Sequence, residues 1–327
     1  MRLAFLLYLA LLWLLANPAS AAVERPGTTH PVAPAWLVPT NVTPCERALF
    51  QDAADGNLDQ HSLIQAVLIA CGAHESAELV DLQLHAAAWL DRLRLEFAGS
   101  NDARWKAAQI LERLHVDLLQ DRYRTECSDL RQLLQAGDYN CVGAAVMYVA
   151  ACEACGLTVA PQELPGHVRC RVWMNDHWQV VEPTCRDWLS ETTDTAQRDR
   201  ANAPAALQAA YKLTDEGRTL SAIGLVAMIY YNQGLDRLDE RDWSGAFAAN
   251  QKALRIDPAS RSARANLLAI WNNWALQVSD AGDHRSAARM LERGVQLAPE
   301  FSTFQLNLSV IQQRQQDIQR ATLSPNR

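Results

Sequence analysis

Apolar residues return every three or four positions through much of the chain. Leu79, Leu82, Ala86, Leu90, Leu93 and Phe97 form one face of an amphipathic helix, and Ile110, Leu111, Leu114, Leu118 and Leu119 repeat the pattern after a break at Gly99, Ser100 and Asn101. The chain from Cys45 to Ala136 therefore reads as helical. A turn cluster, Gly137 to Asn140, then leads into a run from Cys141 to Ala151 that is apolar on almost every side, the pattern of a buried helix. Asn140 suits its N-cap, because a side-chain oxygen can accept an orphan first-turn N–H. Gly156 suits its C-terminal stop. The pattern next changes period: His167 to Trp173 and His177 to Glu182 alternate as strands, with Asn175 and Asp176 fitted to a tight hairpin turn. His167 is expected to begin the first strand after the buried helix.

The last third carries an internal repeat. Gly234, Ala246, Ala253 and Pro258 are spaced by 12, 7 and 5 residues, and Ala275, Ala287, Gly294 and Pro299 by the same intervals. Small residues at such offsets let two antiparallel helices cross closely, and proline ends the second helix. Tyr230 and Trp271 each stand four residues before the first small position. The arrangement resembles two tetratricopeptide repeats. The copies are offset by 41 residues, where about 34 is usual, which calls for extended helices or an inserted loop. A generic pair of helical hairpins is the plainer reading. Phe301 to Gln316 is expected to cap the array.

Composition narrows the class. With 49% hydrophobic and 20% charged residues, the 327-residue chain is of ordinary globular type and long enough for two domains. Thirty basic and 37 acidic residues leave a net charge of −7 without any Lys/Arg-rich run, so nucleic acid and anionic membrane are not expected partners. Arg2 precedes an apolar stretch from Leu3 to Ala16, followed by Ala19, Ser20 and Ala21, the pattern of a cleaved export signal. The stretch is shorter than the about 20 residues that span a bilayer, although an uncleaved anchor is the alternative. After cleavage no integral membrane segment is expected, and the mature protein would be periplasmic or secreted. Asn41 and Asn307 lie in glycosylation sequons that matter only in a glycosylating pathway.

Export gives weight to the eight cysteines, Cys45, Cys71, Cys127, Cys141, Cys152, Cys155, Cys170 and Cys185. Cys152 and Cys155 form a CxxC, readable as disulfide partners, a redox pair, half of a zinc site with Cys170 and Cys185, or simply two helix residues one turn apart. It ends a helix, whereas a redox CxxC starts one, and no second CxxC completes a zinc site. No acidic calcium loop is present either, so neither metal nor cofactor is expected.

A thiol nucleophile needs a base to ionise it and an acid to hold that base in the right tautomer. Cys141 lies in the first turn of the buried helix, where the helix dipole favours negative charge. If Asn175 and Asp176 are the turn, facing residues sum to 351, so His167 faces Thr184 and Arg169 faces Glu182. His167 and Glu182 then share one face of the hairpin on a diagonal. The plainer readings are that Cys141 is core filling or half of a disulfide, and that Glu182 pairs with Arg169. The Cys141 N–H and the neighbourhood of Tyr139 are the places to seek an oxyanion hole.

The segment Asn140 to Ala145 with Gly156 and Leu157 beyond it, the segment Leu164 to Val168, and the segment Val181 to Thr184 resemble the cysteine, histidine and acid segments of bacterial transglutaminase-like (papain-type) domains. The resemblance covers residues 45–190. It implies Cys141 as nucleophile, His167 as base and Glu182 as the orienting acid, where many active members carry Asp. The family holds transglutaminases, peptidases, amidases and inactive members.

The expected fold is α+β: a helical lead-in and a Cys-bearing helix on a small antiparallel sheet, followed by an all-α tail. Its segments are 1–21 signal peptide, 22–44 Pro-rich arm, 45–190 transglutaminase-like domain, 191–220 connector and 221–320 repeats. The expected activity is acyl transfer or amide hydrolysis on a protein or peptide. The alternatives are an inactive scaffold that binds a partner through its repeats and, ranked below it, a thiol-redox role for Cys152 and Cys155.

Overall fold

A computed structural model describes residues 39, 41–74, 76–120, 122–189 and 217–323. The expected signal peptide, most of the Pro-rich arm and residues 191–216 of the connector lie outside them. The described residues form 11 helices and a small antiparallel sheet, with a wholly helical C-terminal part, an α+β layout.

Helix α1 (Pro44–Asp52) opens with a capping box: Thr43 Oγ1 accepts from Glu46 N, and the Glu46 carboxylate accepts from Thr43 N. Pro44 stands at its first position, where a missing N–H costs nothing. Next come α2 (Leu63–Ala70), α3 (Ser76–Glu96) and α4 (Ala103–Leu114). Helix α4 widens into a single π-helical turn over His115–Leu119, ended by Gln120 at φ 48°. A two-residue strand, β1 (Arg122–Tyr123), pairs in parallel with β2 (Asp138–Tyr139) across α5 (Leu130–Ala136).

The buried helix is α6 (Cys141–Ala154), and every residue from Cys141 to Cys152 is buried. Asn140 Oδ1 accepts from both Val142 N and Gly143 N. Small residues matter here: a Cβ on Gly143 would come 3.1 Å from Leu133 Cδ1 of α5. Gly156, at φ 75°, turns the chain out of the helix.

Strand β3 (Val159–Leu164) follows, then β4 (His167–Met174) and β5 (His177–Val181). His167 therefore begins the second strand after the helix, not the first. Pro161 and the flanking Pro165 disguised β3, since proline within a run argues against a strand. The sheet order is β5-β4-β3-β6, in which β6 (Arg218–Thr219) comes from the end of the expected connector. Asn175 (φ 53°) and Asp176 (φ 61°) make a two-residue hairpin turn, and Met174 faces His177 while Cys170 faces Val181. That register is the one the turn residues dictate.

The tail comprises α7 (Ala222–Asp239), α8 (Trp243–Ile256), α9 (Arg261–Asp280), α10 (His284–Leu297) and α11 (Thr303–Leu323). The long offset between the two copies of the repeat lies in helix length: α7 has 18 residues and α9 has 20, joined by short turns. The repeat-spaced Gly234, Ala246, Ala253, Ala275, Ala287 and Gly294 are all buried. Helices α8 and α10 end two residues before Pro258 and Pro299. The terminal helix runs to Leu323, beyond the expected Gln316.

One apolar core runs without interruption from Leu49 to Ile270, and a smaller one holds Leu268, Ala275, Leu291, Phe304 and Ile311. Polar ties reinforce this continuity. Glu46 accepts from Tyr230 Oη of α7 at 3.1 Å and pairs with Lys252 of α8 at 2.7 Å. Arg218 bridges Glu163 of β3 and Asp257 beyond α8. Among the described residues no helix is long and apolar enough to cross a membrane.

Candidate active site

Three elements bring the chemistry together. Cys141 is the first residue of α6, His167 the first of β4, and Glu182 the residue after β5. His167 Nε2 lies 2.6 Å from Glu182 Oε2. Nε2 is thereby engaged by the carboxylate, which leaves Nδ1 for Cys141, whose thiol lies within hydrogen-bonding reach of the imidazole. The three residues expected from the sequence are thus contiguous and nearly dry: Cys141 is 8% exposed, His167 5% and Glu182 0%.

Electrostatics favour the charged imidazole. Burial alone would lower the His167 pKa; the Glu182 carboxylate first, and then Cys141, more than offset it and hold His167 up at about 10. Glu182 is itself anchored, with Oε1 accepting from the Thr184 N–H at 3.1 Å and from the Thr184 hydroxyl at 2.6 Å. Arg169 donates through Nε to Gln162 Oε1 of β3 at 2.8 Å.

Two further side chains belong to the site and went unnoticed in the sequence. Tyr123 of β1 brings its hydroxyl within hydrogen-bonding reach of Cys141, although the residue is 41% exposed. Burial first, and then the neighbouring Cys141 and Glu182, raise the phenol pKa, so the hydroxyl stays protonated and acts as a donor. Its ring packs edge-on against Tyr139, centroids 5.6 Å apart, in the parallel β1–β2 pairing. His115, in the π-helical turn, donates through Nε2 to Pro183 O at 3.0 Å and meets Tyr139 edge-on at 6.4 Å. His115 thereby steadies the chain beside Glu182. A two-residue strand has no alternation to reveal it, and a histidine inside a helical period reads as an ordinary helix residue.

The Asn140 amide completes the frame. Its oxygen caps α6, while its nitrogen donates to Thr125 O at 3.2 Å and Ser128 Oγ at 2.7 Å. The Cys141 N–H, first in the helix, has no intrahelical acceptor by geometry. Chemically, the arrangement offers a thiol beside an imidazolium braced by a carboxylate, with a backbone N–H and a phenol as donors around the sulfur.

The other cysteines sit differently. Cys152 and Cys155 are both reduced thiols at the end of α6, and burial raises the pKa of each. Cys152 and Cys170 are fully enclosed in the core beside Tyr148. Among the described residues no cluster of three His, Cys, Asp or Glu side chains is placed to hold a metal ion. No protein-family model, curated protein or solved structure matches the chain.

Proposed function

We propose that this chain is an exported cysteine-dependent acyltransferase or amide hydrolase of the transglutaminase-like type, acting on a protein or peptide. The observation that carries the reading is the buried contact of His167 with Glu182 at 2.6 Å on one side and with Cys141 on the other. Cys141 attacks the amide carbonyl as thiolate. The carbonyl π electrons move to oxygen, where the Cys141 N–H and the Tyr123 hydroxyl donate to the developing charge. His167, protonated at Nδ1, delivers that proton to the leaving amine as the C–N bond breaks, and a thioester remains. Water or a second amine, deprotonated by His167, then releases the acyl group. Glu182 holds the imidazole by Nε2 throughout.

The tail, with its repeat-spaced small residues buried where helices cross, supports a tetratricopeptide-like reading, and peptide or protein binding is the use that fits it. The segment from Arg2 to Ala21 carries the export proposal by its sequence pattern alone.

The test is alkylation of the mature protein with iodoacetamide from pH 5 to 9, each cysteine followed by mass spectrometry. Rapid labelling of Cys141 at pH 6 that His167→Ala slows supports the enzyme. Labelling that follows an ordinary thiol of pKa about 8.5, with or without His167, sinks it. The 8% exposure of Cys141 favours a second reading, a closed scaffold in which the site is vestigial. A Cys141 that stays unlabelled in the folded protein, at every pH and with a glutamine-containing peptide present, points to that scaffold.

A further inference from the structure

Ser128, between β1 and α5, accepts two hydrogen bonds on one hydroxyl. One is from Asn140 Nδ2, the cap of the Cys141 helix, at 2.7 Å; the other is from Asn232 Nδ2 of α7 at 2.8 Å. Ser128 and Asn140 are 5% and 2% exposed, so water does not readily enter the bond between them, while Asn232 is half-buried. A continuous path therefore leads from the first tail helix to the residue preceding Cys141.

The chemistry of each group gives the path a direction. A hydroxyl has one hydrogen and two lone pairs. With an amide donor on each lone pair, the Ser128 hydroxyl is held as an acceptor toward Asn140 and must send its own hydrogen elsewhere. That orientation matters because the Asn140 amide has only one useful placement. Its oxygen must face the N–H groups of Val142 and Gly143, and its nitrogen must face Thr125 O and Ser128. Without Asn232 one lone pair of Ser128 loses its donor, and the hydroxyl is free to swing away from Asn140. The Asn140 amide then loses a fixed partner on its nitrogen side, which loosens the cap on which the Cys141 backbone depends.

We propose that Asn232 is a positioning residue for Cys141, acting through Ser128 and Asn140, so that the first helix of the tail is part of the catalytic assembly and not an appendage. The inference rests on the reading of Cys141 as the nucleophile. Neighbouring Gln233 supplies the control, since its Nε2 donates to Ala70 O at 2.8 Å and ties α7 to α2 without touching Ser128.

The experiment measures Cys141 alkylation by iodoacetamide between pH 5 and 9, with thermal melts, in the full mature chain and its Asn232→Ala, Asn232→Asp, Ser128→Ala and Gln233→Ala variants. Asn232→Asp keeps the side-chain shape and removes the donor. The expected result is Cys141 labelling at pH 6 that is slower by about five- to tenfold in both Asn232 variants, the scale of one net hydrogen bond. Ser128→Ala should slow it likewise, while Gln233→Ala lowers the melting temperature and leaves the labelling profile in place. A wild-type profile in the folded Asn232→Asp protein overturns the proposal, as does equal slowing in Gln233→Ala, which would make the effect one of general docking. Should wild-type Cys141 itself behave as an ordinary thiol, the enzymatic reading fails and this proposal with it; a poised wild type with indifferent Asn232 variants removes this proposal alone.

Discussion

His167 Nε2 meets Glu182 Oε2 at 2.6 Å on a diagonal of the β4–β5 hairpin, in a register where Cys170 faces Val181. The contact depends on the Asn175-Asp176 turn, because a slip of one residue would send Glu182 to the opposite face of the sheet. Glu182 is also the principal support of the His167 charge. In Glu182→Gln, acyl transfer should fall on the order of 10²–10⁴-fold, and rapid alkylation of Cys141 at pH 6 should disappear. A variant that keeps the wild-type pH profile would falsify the role given to Glu182.

The same shift has a consequence for stability. His167 is raised from 6.5 to about 10 in the folded protein, so its stabilising contribution is fully present below pH 6.5 and is lost as pH rises through about 10. Between those values the folded state holds a proton that the unfolded state has released. The melting temperature of the wild type should therefore drop more steeply from pH 7 to 10 than that of Glu182→Gln. Parallel curves in the two proteins would rule this out.

Tyr123→Phe keeps the ring and its edge-on contact with Tyr139 while deleting the hydroxyl that reaches Cys141. If the hydroxyl serves the developing oxyanion, kcat should fall on the order of 10²-fold with KM little changed. An unchanged kcat would leave the Cys141 N–H without this partner.

Glu46 is 2% exposed and meets Lys252, Tyr230 and Thr43. Burial would raise its pKa, but hydrogen bonds to Lys252 and Thr43 and the Lys252 charge together hold it below 4.5. Removing the cation in Lys252→Met should cost about 3–5 kcal/mol at pH 7, because a buried carboxylate loses its counter-charge. The loss should shrink as pH falls toward 4.5 and Glu46 takes up a proton. Urea midpoints at the two pH values measure it, and the double variant with Glu46→Gln should recover part of the loss.

A Cβ at Gly234 would collide with the Asn250 amide, which is fully buried and donates to Ala246 O at 2.9 Å. Gly234→Ala should destabilise the protein by about 1–3 kcal/mol through overpacking, despite the better helix propensity of alanine. A denaturant midpoint at or above wild type would show that the α7–α8 crossing can relax.

Much of this architecture was legible in local pattern. Period 3.6 marked α3 and α4, an all-apolar run marked α6, Asn140 and Gly156 marked its ends, and the Asn175-Asp176 turn set a register that placed His167 beside Glu182. Each of these is a short-range property, written within a few residues of where it acts. Strand β3 escaped because Pro161 breaks the alternation, and β6 because two residues carry no period at all. Local pattern was thus enough to nominate Cys141, His167 and Glu182 as one centre. That Tyr123 and His115 join it, and that Asn232 meets Ser128 across 104 positions, lay beyond such pattern. Those meetings depend on how α4, α7 and the β1–β2 pair dock around α6, since burial rewards any apolar face that fits and the polar partners follow from where the backbones come to rest.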